Sequence, residues 1–122
     1  MTKERLDLGR EGEDIALKRL LELGYRCVDR NYRCALGEVD LVARDGDTLV
    51  FVEIKTRKGK GLGYAKQAVT VRKQRQISKV ALAYMKEKGC LDTRARFDVV
   101  AVGTGGAQEE IEVVKNAFEL AY

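Results

Sequence analysis

The chain has no histidine and only three cysteines, Cys27, Cys34 and Cys90, with no CxxC pair among them. That inventory argues against His-based triads and against the usual Cys and His zinc cages. Three widely spaced thiols do not make a disulfide framework either, and they read as small core residues in a reducing compartment. No apolar run is long enough to span a bilayer, and the opening MTKERLDLGREGED is charged throughout where a secretory signal would be apolar. A cytoplasmic protein without a membrane partner is therefore expected. A further absence is more pointed: from Lys55 to Lys86 there is no Asp or Glu, against ten basic residues. The net charge is +4, so the rest of the chain carries 13 basic and 19 acidic residues. A solvated helix face normally interleaves both signs, whereas a segregated block is the footprint of a polyanion, most commonly nucleic acid.

With 122 residues, 45% hydrophobic and 34% charged, the chain fits one globular domain over 1–122. A chain of this length buries roughly two-thirds of its unfolded surface without needing a metal or disulfide. Ala16, Leu17, Leu20 and Leu23 make an apolar stripe that predicts a helix over 10–23, ended by Gly24. Strands are expected at 25–33, 36–44 and 48–56, then a helix capped at Thr70 and running to Gly89, then a buried strand at 96–102. Residues 107–122 read as a short edge strand and a C-terminal tail. The expected fold is α/β, a mixed central sheet in αβββαβ order flanked by helices.

The stretch TLVFVEIKTRKGKG, residues 48–61, holds the chemistry. Leu49 to Val52 read as a strand buried on both faces, and ending such a strand with Glu53 and Lys55 is costly unless each has a partner. Asp45-Gly46 is a two-residue hairpin signal. With that pair as the loop, Asp40 lies opposite Phe51 and Glu38 opposite Glu53, so that Glu38, Asp40, Glu53 and Lys55 share a face. Three carboxylates so placed repel unless a cation joins them, and an all-oxygen cage suits Mg²⁺ or Mn²⁺. Satisfied ion pairs, Glu53 with Lys55 or Asp40 with an arginine, are the plainer alternative. Glu13 lies on the apolar stripe of the first helix and adds a fourth acid, unless the helix macrodipole alone accounts for it. Asp98, in RFDVVAV, is a further auxiliary candidate, with pairing to Arg94 or Arg96 as the competing account.

A cation held by Asp40 and Glu53 would polarise a phosphodiester, with Lys55 positioning or deprotonating the attacking water. Arg57, Lys58 and Lys60, together with Arg72, Lys73, Gln74, Arg75 and Lys79, would hold the phosphate backbone. Tyr64 is placed to stack on a base or ribose. The glycines near it make no P-loop, because no GK[ST] follows. Two other readings stand beside this one: a non-catalytic nucleic-acid-binding module, and an interaction protein whose basic loop docks an acidic protein.

Asp40 followed by Glu53-Ile54-Lys55, with Glu13 on an initial helix, resembles the PD-(D/E)-x-K nuclease superfamily and its restriction-endonuclease-like core; Val39 stands where the superfamily's name puts proline. More narrowly, GREGEDIALKRLLELGY, GEVDLVARDGDTLVFVEIKTR, AVTVRKQRQI, RFDVVAV and the late KNAF resemble the YraN-like family of small bacterial proteins, over nearly the whole chain. The GEVD and EIK segments are also similar to archaeal Holliday junction resolvases. These resemblances imply Mg²⁺-dependent hydrolysis of DNA, with Asp40 and Glu53 as ligands, Lys55 as the catalytic lysine and Glu13 as an auxiliary acid. By the same analogy the substrate is branched DNA, with RNA left open, and the protein a homodimer.

Overall fold

The computed structural model describes residues 3–58, 69–104 and 110–120, with side chains from residue 9 onward. Lys60 and Tyr64 lie outside the described residues. The fold is α/β, with a five-stranded mixed sheet and two helices. In chain order the elements are α1 (Lys3–Glu22), β1 (Arg26–Cys34), β2 (Gly37–Asp45), β3 (Thr48–Lys58), α2 (Val71–Glu87), β4 (Ala95–Thr104) and β5 (Glu110–Val114). The strands lie side by side in sequence order; β3 and β4 are parallel and every other pair is antiparallel. α2 is the crossover that the single parallel pair requires.

α1 begins seven residues earlier than the apolar stripe predicts, because Lys3, Glu4, Arg5, Leu6 and Leu8 are strong helix formers. Its inner face, Ala16 and Leu20, packs with Tyr25, Leu41, Ala43, Val50, Val52, Val100 and Val102 on one side of the sheet. Gly12 brings the helix close: a Cβ there would clash with the side chain of Thr56 on β3, so a larger residue fits only if Thr56 gives way. α2 starts where the sequence predicts, with Thr70 Oγ1 accepting from Lys73 N–H at 3.2 Å. Its Ile77, Val80, Ala81, Tyr84 and Met85 cover the opposite side, against Val39, Val42, Leu49, Phe51, Phe97, Val99 and Ala101. Covered on both sides, β3 and β4 read as near-continuous apolar runs.

The β2–β3 turn departs from the expected register. Asp45 pairs with Thr48, so the loop residues are Gly46 and Asp47. Gly46 has φ +61 and is the only loop residue in the left-handed region, the pattern of a II′ turn with glycine first. The ladder is thereby shifted by two residues, which preserves the face of every side chain but changes its partner. Val42, not Asp40, faces Phe51, and the ladder stops at Leu41–Val52.

Candidate functional site

Beyond Leu41–Val52 strands β2 and β3 part, and the next residue on each is an acid: Asp40 and Glu53. Asp40 takes over where the backbone ladder fails, its Oδ2 accepting the Ile54 N–H at 2.8 Å. Glu53 points to the α2 side of the sheet and is buried, with only 5% of its surface exposed. Its Oε2 has no hydrogen-bond partner; the ammonium of Lys73 stands 3.6 Å away, near enough to pair but too far to hydrogen-bond. Burial first, and then a hydrogen bond and charge repulsion from Asp40, push the Glu53 carboxyl up to about 8, against the opposing pull of Lys73 and Lys55. The surroundings of Glu53 therefore favour its protonated form over its ionised one. Lys55, two residues along β3, lies on the same face as Glu53.

Glu13, half-buried on α1, has its carboxyl raised by burial and then by the charge of Asp40, with Arg30 acting in the opposite direction. Asp40 is thus the charge common to both acids, felt by Glu13 from α1 and by Glu53 from the α2 side. The opening between β2 and β3 brings the two faces of the sheet together electrostatically.

Two expected members are elsewhere. The shifted register takes Glu38 away from Glu53; on its other side Glu38 lies across from Arg33 on β1, whose Nε donates to Glu38 Oε2 at 2.8 Å in an exposed pair. Asp98 lies on the α1 side of β4, in register with Val52, whereas Glu53 is in register with Val99 on the α2 side. Fully buried, Asp98 accepts from Arg96 Nε at 2.8 Å, from the Tyr25 hydroxyl at 2.7 Å and from the Asn116 N–H at 2.9 Å. Arg96 reaches on to Asp45 at 2.9 Å, so Asp98 belongs to a network that ties β4 to the β2–β3 turn. Pairing with Arg96 is the account that holds.

The basic residues divide in the same way. Arg57 and Lys58 are exposed at the end of β3. Arg72, Lys73, Arg75 and Lys79 line an open groove of about 880 Å³, shared with Leu36 and Val71 and running along the N-terminal half of α2. A helix start with no acid in its first turn adds its own positive end to that groove. Gln74 is not part of it: its side-chain amide donates to the Val69 carbonyl at 3.0 Å and braces the approach to α2. The partnership of Lys73 with Glu53 is not among the expected ion pairs. A signal for it exists, since Lys73 precedes Ile77 by four and so begins the apolar stripe of α2.

Among the described residues no three Asp, Glu, Cys or His side chains converge on one point. The available donors are the Asp40–Glu53 pair. A buried carboxylate oxygen without a hydrogen-bond partner, next to a second carboxylate, is a place where a hard cation can bind. Mg²⁺ is commonly held by one or two carboxylates plus water and phosphate, so the residues present fit it.

The class defined so far is a two-helix α/β protein with an acidic pair where two strands part, beside a basic groove. The sequence profile of the Uncharacterised protein family UPF0102 matches residues 12–102. A UPF0102 protein of Geobacter sulfurreducens is 58% identical over 116 residues, covering 94% of this chain and 91% of its own. Another, from Geobacter metallireducens, is 48% identical over 122 residues and all of both chains. A third, from Rhodococcus jostii, is 51% identical over 114 residues, 93% of this chain and 97% of its own. The chain belongs to the UPF0102 family, the YraN-like proteins of bacteria. No helix among the described residues is long and apolar enough to cross a membrane.

Proposed function

We propose that this protein is a divalent-metal-dependent nuclease with a restriction-endonuclease-like core, hydrolysing phosphodiester bonds in DNA. One observation carries the reading: the buried Oε2 of Glu53, without a hydrogen-bond partner and beside Asp40, is linked through Lys73 to a groove lined with cations. Asp98, by contrast, has both of its oxygens satisfied by Arg96 and its neighbours.

Asp40 and Glu53 would hold Mg²⁺ or Mn²⁺, which when bound supplies charge neutralisation and electrophilic activation at the phosphodiester. Asp40 is oriented for this by the Ile54 N–H, and Glu53 by the strand that buries it. Lys55, on the same face, positions the attacking water or, entering as the neutral amine, takes its proton; as the ammonium it offsets the negative charge that develops on the phosphate oxygens. Glu13, held on α1 within the field of Asp40, is the auxiliary acid. Arg72, Arg75 and Lys79 grip the backbone, with Arg57 and Lys58 extending that surface along β3.

The test is cleavage of a labelled panel (four-way junction, flap, single strand and blunt duplex) with Mg²⁺ or Mn²⁺, using Glu53→Gln and EDTA as controls. Metal-dependent cutting that disappears in Glu53→Gln, while nucleic-acid binding is kept or tightened, is the expected result. Cutting that survives in Glu53→Gln would refute the site. Tight binding with no cutting on any substrate would leave a binding module.

A further inference from the structure

We infer that Lys73 is a movable counter-ion that couples metal occupancy of the Asp40–Glu53 pair to the grip of α2 on nucleic acid, an inference that rests on the reading proposed above. Lys73 sits between the two halves of the site. Its ammonium stands 3.6 Å from Glu53 Oε2, the buried oxygen that no hydrogen bond satisfies. Its stem lines the groove shared with Arg72, Arg75 and Lys79 and also a smaller neighbouring one of about 360 Å³ with Arg33, Glu38 and Gln76. About a third of the side chain is exposed, so it is neither locked into the core nor free in solvent.

In this position the ammonium does for Glu53 what a metal would do better. A dication at Oε2 would lie within a few ångströms of the ammonium, and two cations so close in a partly buried site repel strongly. The lysine must then leave. Its flexible four-carbon stem permits the swing, which a planar guanidinium fixed in a fork would resist. The open direction is the groove, where the next anion to arrive is a phosphate of the bound strand. Without metal, Lys73 rests against Glu53 and is withheld from nucleic acid; with metal it is released to the backbone. Linkage makes the effect reciprocal, so nucleic acid that draws Lys73 outward tightens the metal.

Two measurements test the coupling in the parent, Lys73→Met and Lys79→Met. One is Mn²⁺ affinity from the electron paramagnetic resonance of free ion, without nucleic acid and at about pH 9, where a carboxyl is largely ionised even when raised. The other is anisotropy of a labelled duplex, with and without Ca²⁺. Lys73→Met should bind Mn²⁺ at least about fivefold more tightly than the parent and lose the gain in duplex affinity that Ca²⁺ confers. Lys79→Met removes the same charge further along α2; it should weaken the duplex in both conditions and keep the parent's Mn²⁺ affinity. Unchanged or weaker Mn²⁺ binding in Lys73→Met, or a Ca²⁺ gain that survives the substitution, would overturn the coupling and leave the proposed nuclease standing. A parent whose Mn²⁺ binding is absent, or is untouched by Glu53→Gln, would bring down both.

Discussion

If Glu53 is held neutral by its surroundings, replacing it with glutamine should stabilise the metal-free protein, and by an amount that depends on pH. The sign follows from proton counts. A carboxyl that titrates at 4.5 when unfolded and near 8 when folded binds more protons in the native state across that interval. Stability is therefore lost as pH rises from about 4.5 to about 8, and the whole penalty is present above 8. At about 1.4 kcal/mol per decade of proton affinity the penalty is at most roughly 5 kcal/mol, and relaxation and water entry around the ionised group reduce it to about 2–4 kcal/mol. Glutamine keeps the shape, donates to Asp40 and never ionises. Urea unfolding followed by far-ultraviolet circular dichroism at about pH 4, 6.5 and 9 measures it. Glu53→Gln and parent should nearly coincide at the acid end and separate steadily toward the alkaline end, with Mg²⁺ restoring part of the parent's loss but none in the variant. A stability difference independent of pH would refute the claim that Glu53 is buried as an acid.

Other outcomes follow from the packing and the groove. Gly12→Ala should destabilise the fold by about 1–3 kcal/mol through the clash with Thr56, and Gly12→Ala with Thr56→Ala should recover most of it; urea midpoints decide, and a neutral Gly12→Ala would mean that α1 is seated further from β3. Asp98→Asn leaves Arg96 under-neutralised in a buried network and should lower stability by about 3–5 kcal/mol without changing Mn²⁺ affinity per folded molecule. Loss of Mn²⁺ binding with stability kept would return Asp98 to the metal site. Replacing Arg75 and Lys79 together with alanine should weaken duplex binding and lower its salt slope by about two, one for each phosphate contact removed. An unchanged slope would move the backbone to another face.

Most of the fold is legible in local patterns. Thr70 announces α2, the apolar run at 49–52 announces a doubly covered strand, and the EIEVV segment announces an edge strand, because each depends on residues close in sequence. What fails depends on longer range or on one dihedral angle. The hairpin signal at Asp45-Gly46 locates the turn correctly, but the register hangs on which slot takes the positive φ, and a two-residue slide takes Glu38 away from Glu53, leaving it with its β1 neighbour Arg33. Asp40 and Glu53 stay together because that slide preserves parity. Asp98 and Glu53 look equivalent as acids in buried strands, yet alternation in the parallel pair puts them on opposite faces. Gln74 sits in the most basic part of the chain but faces the backbone of Val69. The pairing of Lys73 with Glu53 joins residues from α2 and β3 and becomes visible only once the crossover is folded.

The amide of Ile54 is bonded to a side chain rather than to a neighbouring strand, and this makes it an indicator of the acidic pair. Its proton points at Asp40 Oδ2 from 2.8 Å, so its resonance responds directly to the electron density on that carboxylate. A ¹⁵N-labelled sample titrated with Mg²⁺ would report through one peak whether the ion draws on Asp40, with no substrate and no turnover. The same peak followed through alkaline pH would report when the neighbouring Glu53 carboxyl loses its proton. A single backbone nitrogen thus makes occupancy and ionisation at the parted strands separately observable.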